Sequence, residues 1–230
     1  MTKADKILDF MADVHFDGKL PDGIDIMNPY RESADIRAIC FAFYNKFYSD
    51  QQDRTLILGI NPGRLGAGAT GIPFTDTKRL NDKCGVPWSG ISTHEPSSAF
   101  MYEMIDAYGG PEVFYRRFYI NSVCPLGFVK VIGDKRPVNY NYYDEPKLEE
   151  AVRPLIIENI QRQIAIAGRS DVCFCLGSGK NFKYLNNLNE KSGFFGRVVA
   201  LEHPRFIMQY RQKSKENYVA DYLSKFSQYP

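Results

Sequence analysis

The sequence predicts an α/β fold, a central four-stranded parallel sheet with helices on both faces. Three observations carry this. Four short apolar runs, residues 55–60, 119–124, 171–176 and 197–201, have the length and composition of buried strands. Helical patterns separate them, which implies a parallel sheet covered on both sides. Each run also ends in polar or Gly-rich chain: Asn61, Asn121 with Ser122, Gly177 and His203. In such a sheet these positions share the carboxyl edge, where open α/β folds bind ligands.

Residues 4–15 place Ile7, Phe10, Met11 and Val14 at helical spacing. Residues 34–48 do the same with Ile36, Ile39, Cys40, Phe43 and Phe47, after an N-cap at Ser33. The chain between these helices reads as loop, through Pro21-Asp22-Gly23 and Asn28-Pro29. After the first strand comes a long loop, 61–97, of the kind that is usually functional or mobile. His94 within it reads as a surface histidine. A helix over 98–108 takes Ser98 as its cap and stops at Gly109-Gly110-Pro111. A short helix from Pro111 leads into the second strand. Residues 127–145 read as an irregular loop packed by Tyr140, Tyr142 and Tyr143, with Lys135 and Arg136 beside them for base stacking as the other reading. A helix from Pro146 to Ala167 carries an apolar face and should kink or restart at Pro154. The third strand turns at Gly177-Ser178-Gly179 into a helix over 180–188. The fourth ends at Glu202-His203-Pro204-Arg205, and Ser214 caps a terminal helix bearing Tyr218, Val219, Tyr222 and Phe226.

At 230 residues the chain suits one domain, with N-terminal helices over 1–50 and a core over 51–230. With 44% hydrophobic and 24% charged residues it is not of disordered composition. Its net charge of +2 is uneven. Residues 1–179 hold 20 Lys/Arg against 23 Asp/Glu, whereas residues 180–230 hold 9 against 4. The last quarter is a face for a polyanion or an ordinary solvated basic helix. The five cysteines fit no zinc or disulfide framework and read as reduced, mostly buried thiols of a cytoplasmic protein. Asp5 and Asp9 stand where a signal peptide would be apolar, and no run approaches membrane-spanning length. No metal or cofactor is expected.

Residues 55–76 are the most informative stretch. The strand breaks at Asn61-Pro62-Gly63, and Gly66, Gly68 and Gly71 follow before Pro73-Phe74. An amide, a bare backbone and an aromatic ring together suit a small planar, polar molecule. Asn-Pro-Gly alone is an ordinary turn. The glycines fit neither the dinucleotide fingerprint nor a nucleotide loop closed by Gly-Lys-Ser/Thr.

Residues 59–74 resemble the first active-site motif of the uracil-DNA glycosylase superfamily. Gly-Ile-Asn-Pro-Gly also suits the mismatch-specific (thymine/uracil) branch. Thr70-Gly71-Ile72-Pro73-Phe74, with its spacing from Asn61, is similar to the single-strand-selective monofunctional, SMUG-like branch, in a bacterial-type variant. Arg64 departs from the small or proline residue of that pattern. His203-Pro204 resembles the family's second motif, where the mismatch-specific branch has Asn-Pro-Ser. The segment ending Cys124-Pro125-Leu126 resembles the one that brings a base-reading asparagine. Counted without a gap Ser122 takes its place, and with one extra residue Asn121 does. The plainer alternative is that both simply bond to backbone. Strand neighbours face opposite ways, so one of the two lines the pocket.

The resemblance spans roughly residues 55–225 and implies a three-layer α/β/α sandwich. It implies a monofunctional glycosylase that hydrolyses the N-glycosidic bond of uracil in DNA after the base leaves the stack. Phe74 would stack on the base, and backbone N–H groups at Gly63 and Gly68 would meet its polar edge. Asn61 would hold the attacking water, and His203 would donate to O2 as charge develops. Ser122 at the edge would loosen selection toward other deaminated bases such as xanthine. Arg205, Phe206 and Ile207, with Met208, would wedge into the vacated stack. Gly177 and Ser178, at a helix N-terminus, with Lys180, Lys183, Arg211, Lys213 and Lys215, would meet phosphates. The expected partner is DNA bearing uracil or a related base, met by a monomer on the nucleoid, with no membrane. Two other readings stand beside this one: a nucleotide-binding α/β protein using the Gly-rich loop, and a catalytically silent DNA binder.

Overall fold

The structure is a computed structural model, described here for residues 1–131 and 136–229; Lys135 lies outside the described residues. Local sequence sets most elements. Helix α1 (Lys3–Asp13) opens on a capping box between Thr2 and Asp5. Strand β1 (Ile24–Met27) and helix α2 (Pro29–Glu32) occupy the stretch expected to be loop. In α3 (Ala34–Phe47) the Ser33 hydroxyl accepts from Ile36 N–H at 3.3 Å, as expected. Strand β2 (Arg54–Gly59) is followed by two short helices, α4 (Ala67–Thr70) and α5 (Thr77–Asp82). Helix α6 (Pro96–Tyr108) starts on Pro96, so Ser98 is not its cap; the Ser98 hydroxyl accepts from Asp76 N–H instead. Then come α7 (Pro111–Arg117), β3 (Phe118–Ser122), β4 (Gly127–Lys130) and β5 (Val138–Tyr140).

Helix α8 (Pro146–Ala167) runs through Pro154 without a break. Pro154 and Glu150 are both exposed, so the carbonyl that loses its N–H partner faces water. Strand β6 (Gly168–Leu176), α9 (Lys180–Ser192), β7 (Arg197–Leu201), α10 (Pro204–Tyr210) and α11 (Lys215–Ser227) complete the chain. Ser214 precedes α11 but does not cap it, because its hydroxyl donates back to Arg211 O.

The four expected strands form one parallel sheet in the order β3-β2-β6-β7. The chain leaves β2 for β3 on one side, then crosses over to β6 on the other. The carboxyl ends of β2 and β6 therefore flank a topological switch point, the usual place for a ligand crevice. Helices cover both faces, giving a three-layer α/β/α sandwich. On one face Phe226 of α11 is fully buried, its ring 4.6 Å from Phe118 and 4.8 Å from Phe174. Residues 127–140 are not irregular throughout. β4 pairs antiparallel with both β1 and β5 in a second, three-stranded sheet. The N-terminal segment is thereby tied to the carboxyl edge of the main sheet, through Met27 opposite Gly127.

Candidate active site

Asn61, Phe74, Ser122 and His203 line one cleft of about 280 Å³ at the carboxyl edge of the parallel sheet. Asn61 lies two residues beyond β2, and the backbone at the end of β5 and just after it clamps its side chain. Nδ2 donates to Tyr140 O at 3.1 Å, and Oδ1 accepts from Tyr142 N–H at 3.2 Å. Nδ2 also reaches Pro62 O at 3.5 Å, whereas Oδ1 keeps a lone pair for a further partner. Tyr142 is itself fully buried, its hydroxyl on Asn181 Oδ1 at 2.9 Å and its ring 4.9 Å from Tyr184, so the clamp is anchored on α9.

Phe74 has φ 55°, the left-handed region that a bulky side chain seldom occupies. The Thr70 hydroxyl holds the turn by donating to Thr75 O at 2.6 Å and accepting from Ile72 N–H at 3.1 Å. Strain of this kind gathers at functional sites when the surroundings over-determine it. The ring lies across the end of β2, where a Cβ on Gly59 would come within 2.7 Å of Phe74 Cε2. Gly59 is required there for close approach.

His203 precedes α10 and caps it, its Nδ1 accepting from Arg205 N–H at 3.1 Å. Burial and the nearby Arg205 charge push its pKa down to about 4. The ring is therefore neutral near pH 7, and with Nδ1 an acceptor its proton sits on Nε2. Its centroid is 5.9 Å from that of Phe74. The Tyr222 hydroxyl, on α11, donates to Glu202 O and fixes the chain just before the histidine.

The remaining expected residues divide. Ser122 lines the cleft, while Asn121 faces a separate crevice under Pro62 and bonds to Tyr119 Oη at 2.8 Å and to Ser122 N–H at 2.8 Å. Gly63 lines the cleft; Gly68 does not, since its missing side chain would meet Met27 and Gly63 O. Arg205 and Phe206 line the cleft. Ile207 is fully buried and is not available as a wedge, because the segment after His203 is a helix and turns residue 207 inward. Arg211 lies over the Phe206 ring at 5.6 Å. Gly177 (φ 115°) sits behind His203, where a Cβ would be 3.7 Å from the ring. Ser178 donates to the Glu202 carboxylate at 2.9 Å, a negative neighbour that opposes a phosphate there. Lys180 is exposed, its ammonium 5.9 Å from the centre of the Tyr143 ring.

Sequence reasoning passed over Glu95, Asn139, Asn141, Gln209 and Tyr210, all of which line the cleft. Tyr210 had a signal: it lies four residues after Phe206, and the two rings are 5.4 Å apart on one face of α10. Glu95 had none. Its carboxyl pKa is raised to about 7, first by burial and then by the Asp76 charge, with Arg205 opposing.

The chain is 28% identical to a single-strand selective monofunctional uracil-DNA glycosylase of Rattus norvegicus and 29% identical to that of Mus musculus. Each match covers 37% of this chain and 37% of the relative, so it spans little more than a third of those proteins. A crystal structure of wild-type Pedobacter heparinus SMUG2 matches with a TM-score of 0.97 and 55% identity, over 99% of this chain and 97% of that one. The model of the uracil DNA glycosylase superfamily matches residues 46–227, and with most of its length so matched the chain belongs to that superfamily.

Proposed function

We propose that the protein is a monofunctional DNA glycosylase that hydrolyses the bond between uracil and deoxyribose, leaving free base and an abasic site. The observation that carries this reading is the meeting of Asn61, Phe74 and a neutral His203 in one cleft. Phe74 stacks on the extruded base. His203 Nε2–H donates to O2, where negative charge grows as the bond breaks; the donor is preorganised because Nδ1 is already held. Asn61 orients the water with the free capacity of its clamped amide. An amide cannot ionise, so bond breaking runs ahead of water attack, through a cationic sugar. Ser122 offers an adaptable hydroxyl to the polar edge of the base, which supports acceptance of other deaminated bases such as xanthine. Arg205 and Phe206, joined by Tyr210, enter the stack, and the basic C-terminal quarter meets phosphates.

His203-Pro204 favours this over mismatch-specific thymine/uracil excision. The cleft is complete within one chain, which supports action as a monomer, and we place that action on the nucleoid. Among the described residues no helix is long and apolar enough to cross a membrane. The test is one uracil-containing oligonucleotide, single- and double-stranded, incubated with the protein and then treated with alkali. Release by the parent and strong loss in Asn61→Ala and His203→Ala is the expected result. Tight DNA binding without release of uracil, xanthine or hypoxanthine would replace the enzyme with a silent DNA binder.

A further inference from the structure

The reaction above leaves one proton without a destination. The water that adds to C1′ must lose a proton, and the Asn61 amide cannot take it. Nor can His203, whose Nδ1 is occupied by Arg205 N–H and whose Nε2 already carries hydrogen.

The cleft contains a carboxyl group that the function has not absorbed. Glu95 is the residue before α6, but its side chain does not cap that helix. It lies instead against the loop after β2. A Cβ on Gly66 would come within 2.1 Å of Glu95 Oε2, and one on Gly63 within 3.7 Å of Glu95 Oε1. That same point over Gly63 is 3.6 Å from Asn139 Nδ2. Asn139 is fixed because its Oδ1 accepts from Arg64 N–H at 3.1 Å. Gly63 is two residues past Asn61, and Asn61, Gly63, Glu95 and Asn139 line one cleft. Lacking a side chain, Gly63 leaves a small polar space that the Asn139 amide and the Glu95 carboxyl group both border. Among the described residues no donor is bonded to either Glu95 carboxyl oxygen.

We propose that Glu95 is the proton acceptor for the attacking water, which sits over Gly63 between the Asn61 amide and the Glu95 carboxylate. The inference rests on the glycosylase reading. The C1′–N1 bond breaks and its electron pair goes to the base, met at O2 by His203. The water oxygen bonds to C1′. One water O–H bond breaks, its electrons stay on oxygen, and the proton passes to Glu95. The abasic sugar leaves as a hemiacetal, Glu95 gives its proton to solvent, and the base anion takes one from solvent. A weak base suffices, because bond breaking has already made the sugar cationic.

The charges facing Glu95 set its strength. Asp76, before α5, accepts from Glu95 N–H at 2.7 Å and raises the affinity for a proton; Arg205, on α10, lowers it. Arg79 stands behind, paired with Asp76 at 3.0 Å and in contact with His94. The result, about 7, suits a base working near neutral pH.

The test is single-turnover uracil release from about pH 5 to 9 by the parent, Glu95→Gln, Glu95→Asp and Gly63→Ala. The parent rate should rise with pH as Glu95 ionises and level off above about 7. Glu95→Gln should lose roughly 10²-fold on the plateau and the rise itself. Glu95→Asp should keep the rise at a lower rate. Gly63→Ala fits without steric conflict but fills the water's space, so it should lower kcat more than it raises KM. Circular dichroism of each variant confirms folding. A Glu95→Gln variant that keeps the parent's rate, or loses rate while keeping the parent's pH rise, would overturn the inference and leave the glycosylase intact. A parent that releases none of the deaminated bases overturns both.

Discussion

Replacing Gly59 by alanine tests whether the Phe74 ring is where the base stacks. The new methyl would stand 2.7 Å from Phe74 Cε2 and 2.9 Å from Cζ. Carbon atoms are comfortable at about 3.5–4.0 Å, so one partner must retreat by roughly 1 Å. The strand cannot easily give way: β2 lies between two paired neighbours, and Gly59 O accepts from Val123 N–H at 2.9 Å. The Phe74 backbone is already at φ 55° and tied through Thr75 O to Thr70. The ring itself must move, into the space the base would use. Overpacking of this kind costs about 1–3 kcal/mol, and an error of about 1 Å in a reacting group costs on the order of 10²-fold in rate. Single-turnover release from a uracil oligonucleotide measures the second, and a thermal melt the first. At this chain length about 2–4 °C of Tm is lost per kcal/mol. A Gly59→Ala enzyme with lowered Tm and the parent's rate would refute base stacking on Phe74. One unchanged in both would refute the packing argument.

His203 gives the protein a pH-dependent stability. Its folded pKa, about 4, is below the ordinary 6.5, so the unfolded chain takes up the proton first as pH falls. Stability is fully present above 6.5 and drains away toward 4; urea unfolding of His203→Gln across that window should show a flatter slope than the parent's. Phe206→Ala with Tyr210→Ala should reduce cleavage of double-stranded substrate by roughly 10-fold or more while sparing single strands, since only a duplex has a stack to hold open. Equal loss on both substrates would assign the pair to positioning instead. Phe226→Ala should cost about 3–5 kcal/mol by emptying a core site between Phe118 and Phe174, read as a fall in the urea midpoint.

The parallel sheet was legible because each strand is an apolar run bounded by chain breakers, and the long helices between them carry clear stripes. The second sheet was not. β1 and β5 have four and three residues, too short for alternation to show, and β5 is largely exposed. At the site, Asn61 and His203 were legible because they sit where a strand visibly stops, and Phe74 because it closes the Gly-rich loop that follows the first. Asn121 and Ser122 were legible as a pair only; the pleat decides which faces in, and Ser122 does. Ile207 is no wedge because α10 shows residues 206 and 210 on one face and turns residue 207 to the core, and a seven-residue helix opening on Pro204 is too short for its stripe to stand out in the sequence. Glu95 has no sequence signature, since only the packing of α6 against the Gly-rich loop turns an acid before a proline into a cleft wall.

The grip of β5 on Asn61 has a consequence for how activity is lost. Both contacts come from main-chain atoms of residues 140 and 142, so the amide is held whatever side chain Val138 displays outward. What cannot vary is whether the strand is docked. A three-residue edge element with exposed side chains opens at lower free energy than the buried sheet beside it. Amide exchange within β5 and base release should therefore fade together in mild urea, while the signals of Leu56, Ile57 and Leu58 stay protected. Catalysis would end by the undocking of a hairpin, long before the molecule melts.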